Sequence, residues 1–177
     1  MVKISSGKYR GRNIETPSVG TIPTKNRVRE AMFSAAMRFL PGATVLDLFA
    51  GSGALGIEAL SRGAKKAYFV DASAEAVAVV KKNLNALRET NGVVVFGDYL
   101  QALSRMNEPF DLVFLDPPYA NKEAYQNAID ALDGRGLLKQ ECAVMMEYEG
   151  ELDIDSSRFT SRRDYSYGKS KVLFLWR

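Results

Sequence analysis

Three observations predict an α/β fold built on a mostly parallel sheet. Strand-like and helix-like segments alternate from Thr44 to Tyr148, a glycine-rich turn joins the first of those strands to the first helix, and the last two strand-like segments have no helix between them. Alternation of this kind places helices on both faces of a parallel sheet, because a parallel strand is reached only by a crossover. The closing pair, joined around Gly168, predicts a C-terminal antiparallel hairpin on that sheet.

In chain order, Thr44 to Leu48 reads as a short buried strand and Ala54 to Arg62 as a helix that Gly63 caps. Lys66 to Asp71 is a second strand. Ser73 is placed to N-cap the next helix, whose Val77, Val80, Leu84 and Leu87 recur at helical spacing until Asn91-Gly92 stops it. Val93 to Phe96 is a strand, Leu100 to Arg105 a short helix, Phe110 to Leu115 a strand, Lys122 to Asp133 a helix and Cys142 to Tyr148 a strand. The hairpin is Phe159 to Tyr165 and Lys171 to Trp176. Before Thr44, the punctuation by Gly7, Gly11, Pro17, Gly20 and Pro23 predicts short pieces, followed by a helix from about Lys25 to Phe39 with Thr24 as its N-cap.

At 177 residues the chain is expected to be a single domain, residues 1–177. It divides into a basic extension (residues 1–22) and a core (residues 23–177). No apolar run is long enough to span a bilayer, and Met-Val-Lys-Ile-Ser-Ser-Gly-Lys at the start is not an apolar signal segment, so no membrane association and a cytoplasmic address are expected. The one cysteine, Cys142, sits in an apolar run and reads as a buried thiol. With no histidine in the chain, histidine-based triads are excluded and a metal site is not expected; catalysis falls to carboxylates, tyrosine, lysine, backbone groups or a cofactor.

Charge is unevenly distributed. Residues 1–38 hold eight Lys/Arg against two Asp/Glu, residues 39–157 ten against eighteen, and residues 158–177 six against one. Basic ends around an acidic centre suggest that the termini hold a polyanion. On this reading residues 1–22, with Lys3, Lys8, Arg10 and Arg12, contact nucleic acid, and their removal is expected to leave the cofactor loop intact.

The chemistry is concentrated in Asp116-Pro117-Pro118-Tyr119, directly after the strand Phe110 to Leu115. Two consecutive prolines fix φ and remove N–H donors, which holds the Asp116 and Pro117 carbonyls in set directions. A carboxylate and a carbonyl beside an aromatic ring suit a flat base: Asp116 and Pro117 accept hydrogen bonds from one exocyclic amine while Tyr119 stacks on the ring. This pattern points to methyl transfer onto an amine.

The turn Asp47-Leu-Phe-Ala-Gly51-Ser-Gly53-Ala-Leu-Gly56 lets a ligand approach backbone N–H groups at a helix N-terminus. Asp71, twenty residues after Gly51, is placed to accept from ribose hydroxyls. The glycine spacing also fits a dinucleotide enzyme. Against that, Asp47 would oppose a pyrophosphate but welcome the sulfonium and ammonium of S-adenosylmethionine, and Asp98, followed by Tyr99, supplies an acceptor for an adenine amino group. A helix cap is the competing reading of Asp98.

With these residues the chain resembles the class I S-adenosylmethionine-dependent methyltransferases, and within them the bacterial family that methylates a guanine N2 in small-subunit ribosomal RNA. The likeness runs from about Ile4 onward and is carried by Gly7-Lys-Tyr-Arg-Gly11-Arg12, by Pro23-Thr24-Lys-Asn-Arg27-Val28-Arg29-Glu30-Ala-Met-Phe33, by the loop from Asp47 to Gly53, by Asp116-Pro-Pro-Tyr119 and by Tyr167-Gly168. The resemblance implies a Rossmann-like, seven-stranded sheet with S-adenosylmethionine as cofactor. It assigns Asp47 to the methionine end, Gly51 and Gly53 to the cofactor loop, Asp71 to the ribose, Asp98 to the adenine, Tyr99 to the cofactor site, and Asp116, Pro117 and Tyr119 to catalysis. Pro118, Lys8, Arg10, Arg12, Arg27 and Arg29 are then expected on the substrate, 16S ribosomal RNA within a small-subunit particle, with the protein acting as a monomer. Related enzymes sharing the Asp-Pro-Pro-Tyr signature act on DNA adenine or cytosine or on a protein glutamine, and a catalytically silent module that binds cofactor and RNA is the other alternative.

Overall fold

The computed structural model describes residues 1–18, 26–118 and 121–177. A small antiparallel pair, β1 (Val2–Lys3) and β2 (Asn13–Ile14), precedes α1 (Asn26–Ala35). The main body then runs β3 (Thr44–Asp47), α2 (Ala54–Ser61), β4 (Lys66–Asp71), α3 (Ala74–Ala86), β5 (Gly92–Phe96), α4 (Tyr99–Arg105), β6 (Phe110–Leu115), α5 (Glu123–Gly134) and β7 (Leu138–Glu149), and closes with β8 (Ser161–Tyr167) and β9 (Ser170–Trp176). The seven-stranded sheet has the order β5-β4-β3-β6-β7-β9-β8. Strands β3 to β7 are parallel, and β9 lies antiparallel between β7 and β8. The predicted mixed sheet and terminal hairpin are both present.

Each face of the sheet carries its own core. Val45, Phe69, Phe114, Met145 and Phe174 pack against α1, α2 and α3 on one side, while Leu46, Val70, Val113, Val144 and Leu175 pack against α4 and α5 on the other. Phe69 and Phe114 are fully buried, and a side chain of that size contributes about 1.5–3 kcal/mol when removed from water. Gly56 belongs to this packing: a Cβ there would stand 2.3 Å from the Phe69 ring, so glycine is required for α2 to seat on β4.

The basic extension begins with the short pieces that its punctuation predicts. Val2, Ile4 and Ile14 are buried in the core with α1 and α2, so this segment is an integral layer of the domain. The first long helix is shorter than predicted: α1 ends at Ala35 and a 3-10 turn, Met37–Phe39, follows. Thr24 and Lys25 lie outside the described residues. Cys142 is buried, and that burial raises its thiol pKa. Among the described residues no helix is long and apolar enough to cross a membrane, and no group of three or more His, Cys, Asp or Glu side chains is placed to hold a metal.

Candidate active site

Strand register gathers four aspartates at one edge of the sheet. Asp47 at the end of β3 pairs with Phe69 on β4 and with Phe114 on β6, so Asp71 and Asp116 each stand two residues further along the flanking chains. With adjacent strands about 4.8 Å apart, those two backbones straddle β3 at a separation of about 10 Å. Phe96 pairs with Asp71, which carries Asp98 a further two residues outward beside β5. The C-terminal edge of an open α/β sheet is where ligands bind, and β3, with β4 on one side and β6 on the other, is its topological switch point.

The glycine loop between β3 and α2 is held in shape by those carboxylates. Gly51 N–H donates to Asp71 Oδ2 at 2.8 Å and Gly56 N–H donates to Asp47 Oδ2 at 2.9 Å. Gly53 N–H closes a turn on the Ala50 carbonyl at 2.6 Å. Gly51 and Gly53 have φ of 52° and 77°, left-handed values that glycine adopts without a Cβ penalty. Three N–H groups of the turn, those of Gly51, Gly53 and Gly56, are therefore used to fix the loop. Asp71 also accepts from Ser73 N–H through Oδ1, yet each carboxylate oxygen has a second lone-pair direction for a ribose hydroxyl.

Asp47 is 2% exposed. Burial pushes its carboxyl up to about 7, against the Gly56 N–H, which favours the ionised form, and with a further upward push from the nearby Asp71 charge. Such a group is stabilised by any cation brought beside it. Two carboxylates at one glycine loop make a poor seat for a pyrophosphate and a suitable one for a ligand carrying sulfonium and ammonium charges.

Asp98 performs the helix-capping role: its Oδ1 accepts from Leu100 N–H at 2.9 Å and Gln101 N–H at 3.2 Å, fixing the start of α4. Tyr99 is half-buried with its ring 5.2 Å from that of Phe49, so it braces the chain just after β3. At the end of β6, Asp116 is half-buried, Pro117 buried and Pro118 exposed. Tyr119 lies outside the described residues.

The basic residues assigned to the substrate separate into distinct environments. Arg29 does not reach the surface: it is fully buried, donates to the Lys3 carbonyl and to Asn26 Oδ1, and faces Glu58 at 3.7 Å. Its place on the inward face of α1, beside Val28, Met32 and Phe33, makes it a strut between the N-terminal segment and α2, which corrects the substrate role. Burial lowers its pKa despite that carboxylate. Arg27, Arg10 and Arg12 are exposed, whereas Lys8 pairs with the buried Glu89. Burial alone would raise the Glu89 carboxyl, but hydrogen bonds from Lys8, Asn91 N–H and Tyr9 hold it at about 2.

These basic residues do not all converge on the aspartate edge. Arg12 donates to the carbonyl of Ala86, the last residue of α3, while Ser18 N–H donates to Glu75 in its first turn, so residues 12–18 climb the full length of that helix. Thirteen residues of helix span about 20 Å, which places Lys8 and Arg12 at the pole opposite the glycine loop. The hairpin turn at Gly168-Lys169 is on the aspartate side, since Glu149 at the end of β7 pairs with Ser170.

One polar residue of the site escaped the sequence reading. Asn83 lies on the buried face of α3 between Val80 and Leu84 and bonds the Ser52 carbonyl inside the glycine loop. The available signal was a lone carboxamide on an otherwise apolar helical stripe.

The fold, the glycine loop and the carboxylate-lined edge define a class I S-adenosylmethionine-dependent methyltransferase. Within that class the chain belongs to the family described as Conserved hypothetical protein 95, whose model matches residues 2–176. It is 36% identical over 151 residues to ribosomal RNA small subunit methyltransferase D of Escherichia coli, covering 85% of this chain and 76% of that protein. The protein of the same name from Haemophilus influenzae is 39% identical over 153 residues, covering 84% and 79%. The solved structure of yhhF from Escherichia coli, described as a candidate methyltransferase, matches with a TM-score of 0.89 at 33% identity, covering 99% of this chain and 97% of that one.

Proposed function

We propose that this protein methylates the exocyclic N2 amine of a guanine in 16S ribosomal RNA, in the bacterial cytoplasm and within a small-subunit particle. The observation that carries this reading is the register that sets Asp116 beside the glycine loop, across β3 from Asp71. The names of the Escherichia coli and Haemophilus influenzae relatives support the RNA substrate.

Asp47, Asp71 and Asp98 would hold the cofactor at its methionine end, ribose and adenine, consistent with an acidic edge that suits a cationic ligand. Bound there, S-adenosylmethionine supplies an electrophilic methyl group. Asp116 and the Pro117 carbonyl accept the two N–H bonds of the target amine, turning its lone pair outward from the ring plane. Asp116, or water beside it, takes the proton once the nitrogen has become cationic, so no histidine is needed. Positioning supplies much of the rate. A carboxylate only accepts, and guanine presents N1–H and N2–H side by side, which suits Asp116; adenine enzymes use an aspartate there too, so the family resemblance carries most of the choice of guanine. Tyr119 and Pro118 are assigned to the stacked base, which must leave its own stack to be reached. Lys8, Arg10, Arg12 and Arg27 are assigned to phosphates.

The test is to supply methyl-labelled cofactor with small ribosomal subunits, free ribosomal RNA, DNA and total protein, then to locate the label. Label on guanine N2 of 16S RNA is expected. Label on DNA or on protein would replace the substrate assignment, and no transfer despite cofactor binding would replace the catalytic one.

A further inference from the structure

Asn83 is 2% exposed and uses both donors and its oxygen. Its Nδ2 donates to the Ser52 carbonyl at 3.0 Å and to the Glu15 carbonyl at 2.9 Å, while its Oδ1 accepts from Glu15 N–H at 2.8 Å. A single carboxamide thus joins the glycine loop to the N-terminal segment. Ser52 is the central residue between Gly51, held by Asp71, and Gly53, which closes the turn on Ala50. A shift of that turn moves the Ser52 carbonyl, and the shared –NH₂ cannot follow it without weakening its bond to Glu15. Segment 15–18 is anchored again where Ser18 N–H meets Glu75 at 2.7 Å, and it leads in sequence to Lys25 and Arg27.

We propose that Asn83 is a positioning residue that makes cofactor occupancy and the ordering of segment 15–18 one event. The proposal rests on the cofactor reading above and extends it to the N-terminal segment that runs beside α3. Ordering of the glycine loop by a ligand is passed through the carboxamide to Glu15, so the segment from Glu15 to Ser18 is held more firmly when the methyl donor is bound. The coupling is local and physical: one buried side chain shared by two backbone segments.

Hydrogen exchange read by mass spectrometry, with S-adenosylhomocysteine as the probe, separates the possibilities. In the wild-type protein the probe should slow exchange both in the loop at 50–56 and at 14–18. In Asn83→Ala the loop should still respond, at a probe concentration raised to offset an affinity loss of about tenfold or more, the scale for buried polar groups left unpaired. Segment 14–18 should no longer respond. Asn83→Asp, close in shape but lacking both donors, should behave in the same way and serves if the alanine variant does not fold. Protection of the loop alone in the wild type, or protection of both segments in both proteins, would overturn the coupling. Absence of protection anywhere would overturn the cofactor reading on which it rests.

Discussion

The Asp71 carboxylate receives the Gly51 N–H at 2.8 Å across twenty residues of sequence, locking the glycine loop to the end of the neighbouring strand. The same side chain caps the turn after β4 through Ser73 N–H. A residue assigned to the cofactor ribose is therefore also a structural tie of the loop that receives the cofactor.

Asp71→Ala should weaken S-adenosylmethionine binding by about 1–3 kcal/mol, the range for a hydrogen-bonded partner removed from a partly buried site. Asp71→Asn keeps an acceptor for one of the two backbone N–H groups, Gly51 or Ser73, and should lose less. Titration calorimetry on both variants checks this order. Equal affinities for the alanine variant and the wild type would remove Asp71 from the site.

Asp47 gives the site a pH dependence. Its folded pKa, about 7, is above the ordinary 3.8, so the stability this group contributes is full below the ordinary value and is lost as pH rises through 7. A cationic ligand favours the ionised form. S-adenosylmethionine affinity should accordingly rise as pH passes through about 7, with proton release on binding, and Asp47→Asn should flatten that rise. Calorimetry in two buffers of different ionisation enthalpy measures the released proton. Identical observed enthalpies in the two buffers, before any correction, would mean that no proton is released and that Asp47 is already ionised or does not meet the cofactor's charge.

Because Val2, Ile4 and Ile14 are core residues, deleting residues 1–22 would damage the domain as well as remove charge, and the expectation that such a truncation spares the cofactor loop is withdrawn. Side-chain substitutions are the cleaner probe. Replacing Lys8, Arg10 and Arg12 together by alanine should make the logarithmic salt dependence of RNA affinity shallower by about two to three units, if each meets a phosphate. Filter binding across a salt series reads the slope. An unchanged slope would assign these residues to the Glu89 and Ala86 contacts alone and shift attention to Lys169 and Arg27.

Much of this was legible in the chain because the parallel sheet leaves a strong trace: short apolar runs, helical stripes and glycine turns in strict alternation. The four aspartates were legible as strand-end residues for the same reason. Arg29 was misread because its charge is visible in sequence while its compensation, Glu58 and the Lys3 carbonyl, is brought in only by folding. The β1–β2 pair was missed because strands of two residues carry no periodicity. Asn83 was missed because its partners, Glu15 and Ser52, are 68 and 31 residues away. For Asp98 the sequence offered a helix cap beside an adenine contact, and the capping bonds are the part the structure displays.

Methyl transfer by Asp116→Ala is the most direct test. In single-turnover assays with small ribosomal subunits and labelled cofactor, this variant should lose at least about a hundredfold in rate, the scale for a positioned catalytic group, while calorimetry shows nearly unchanged S-adenosylmethionine affinity. Turnover at the wild-type rate would mean that the Asp-Pro-Pro-Tyr segment at the end of β6 is only a turn and that the amine is held elsewhere.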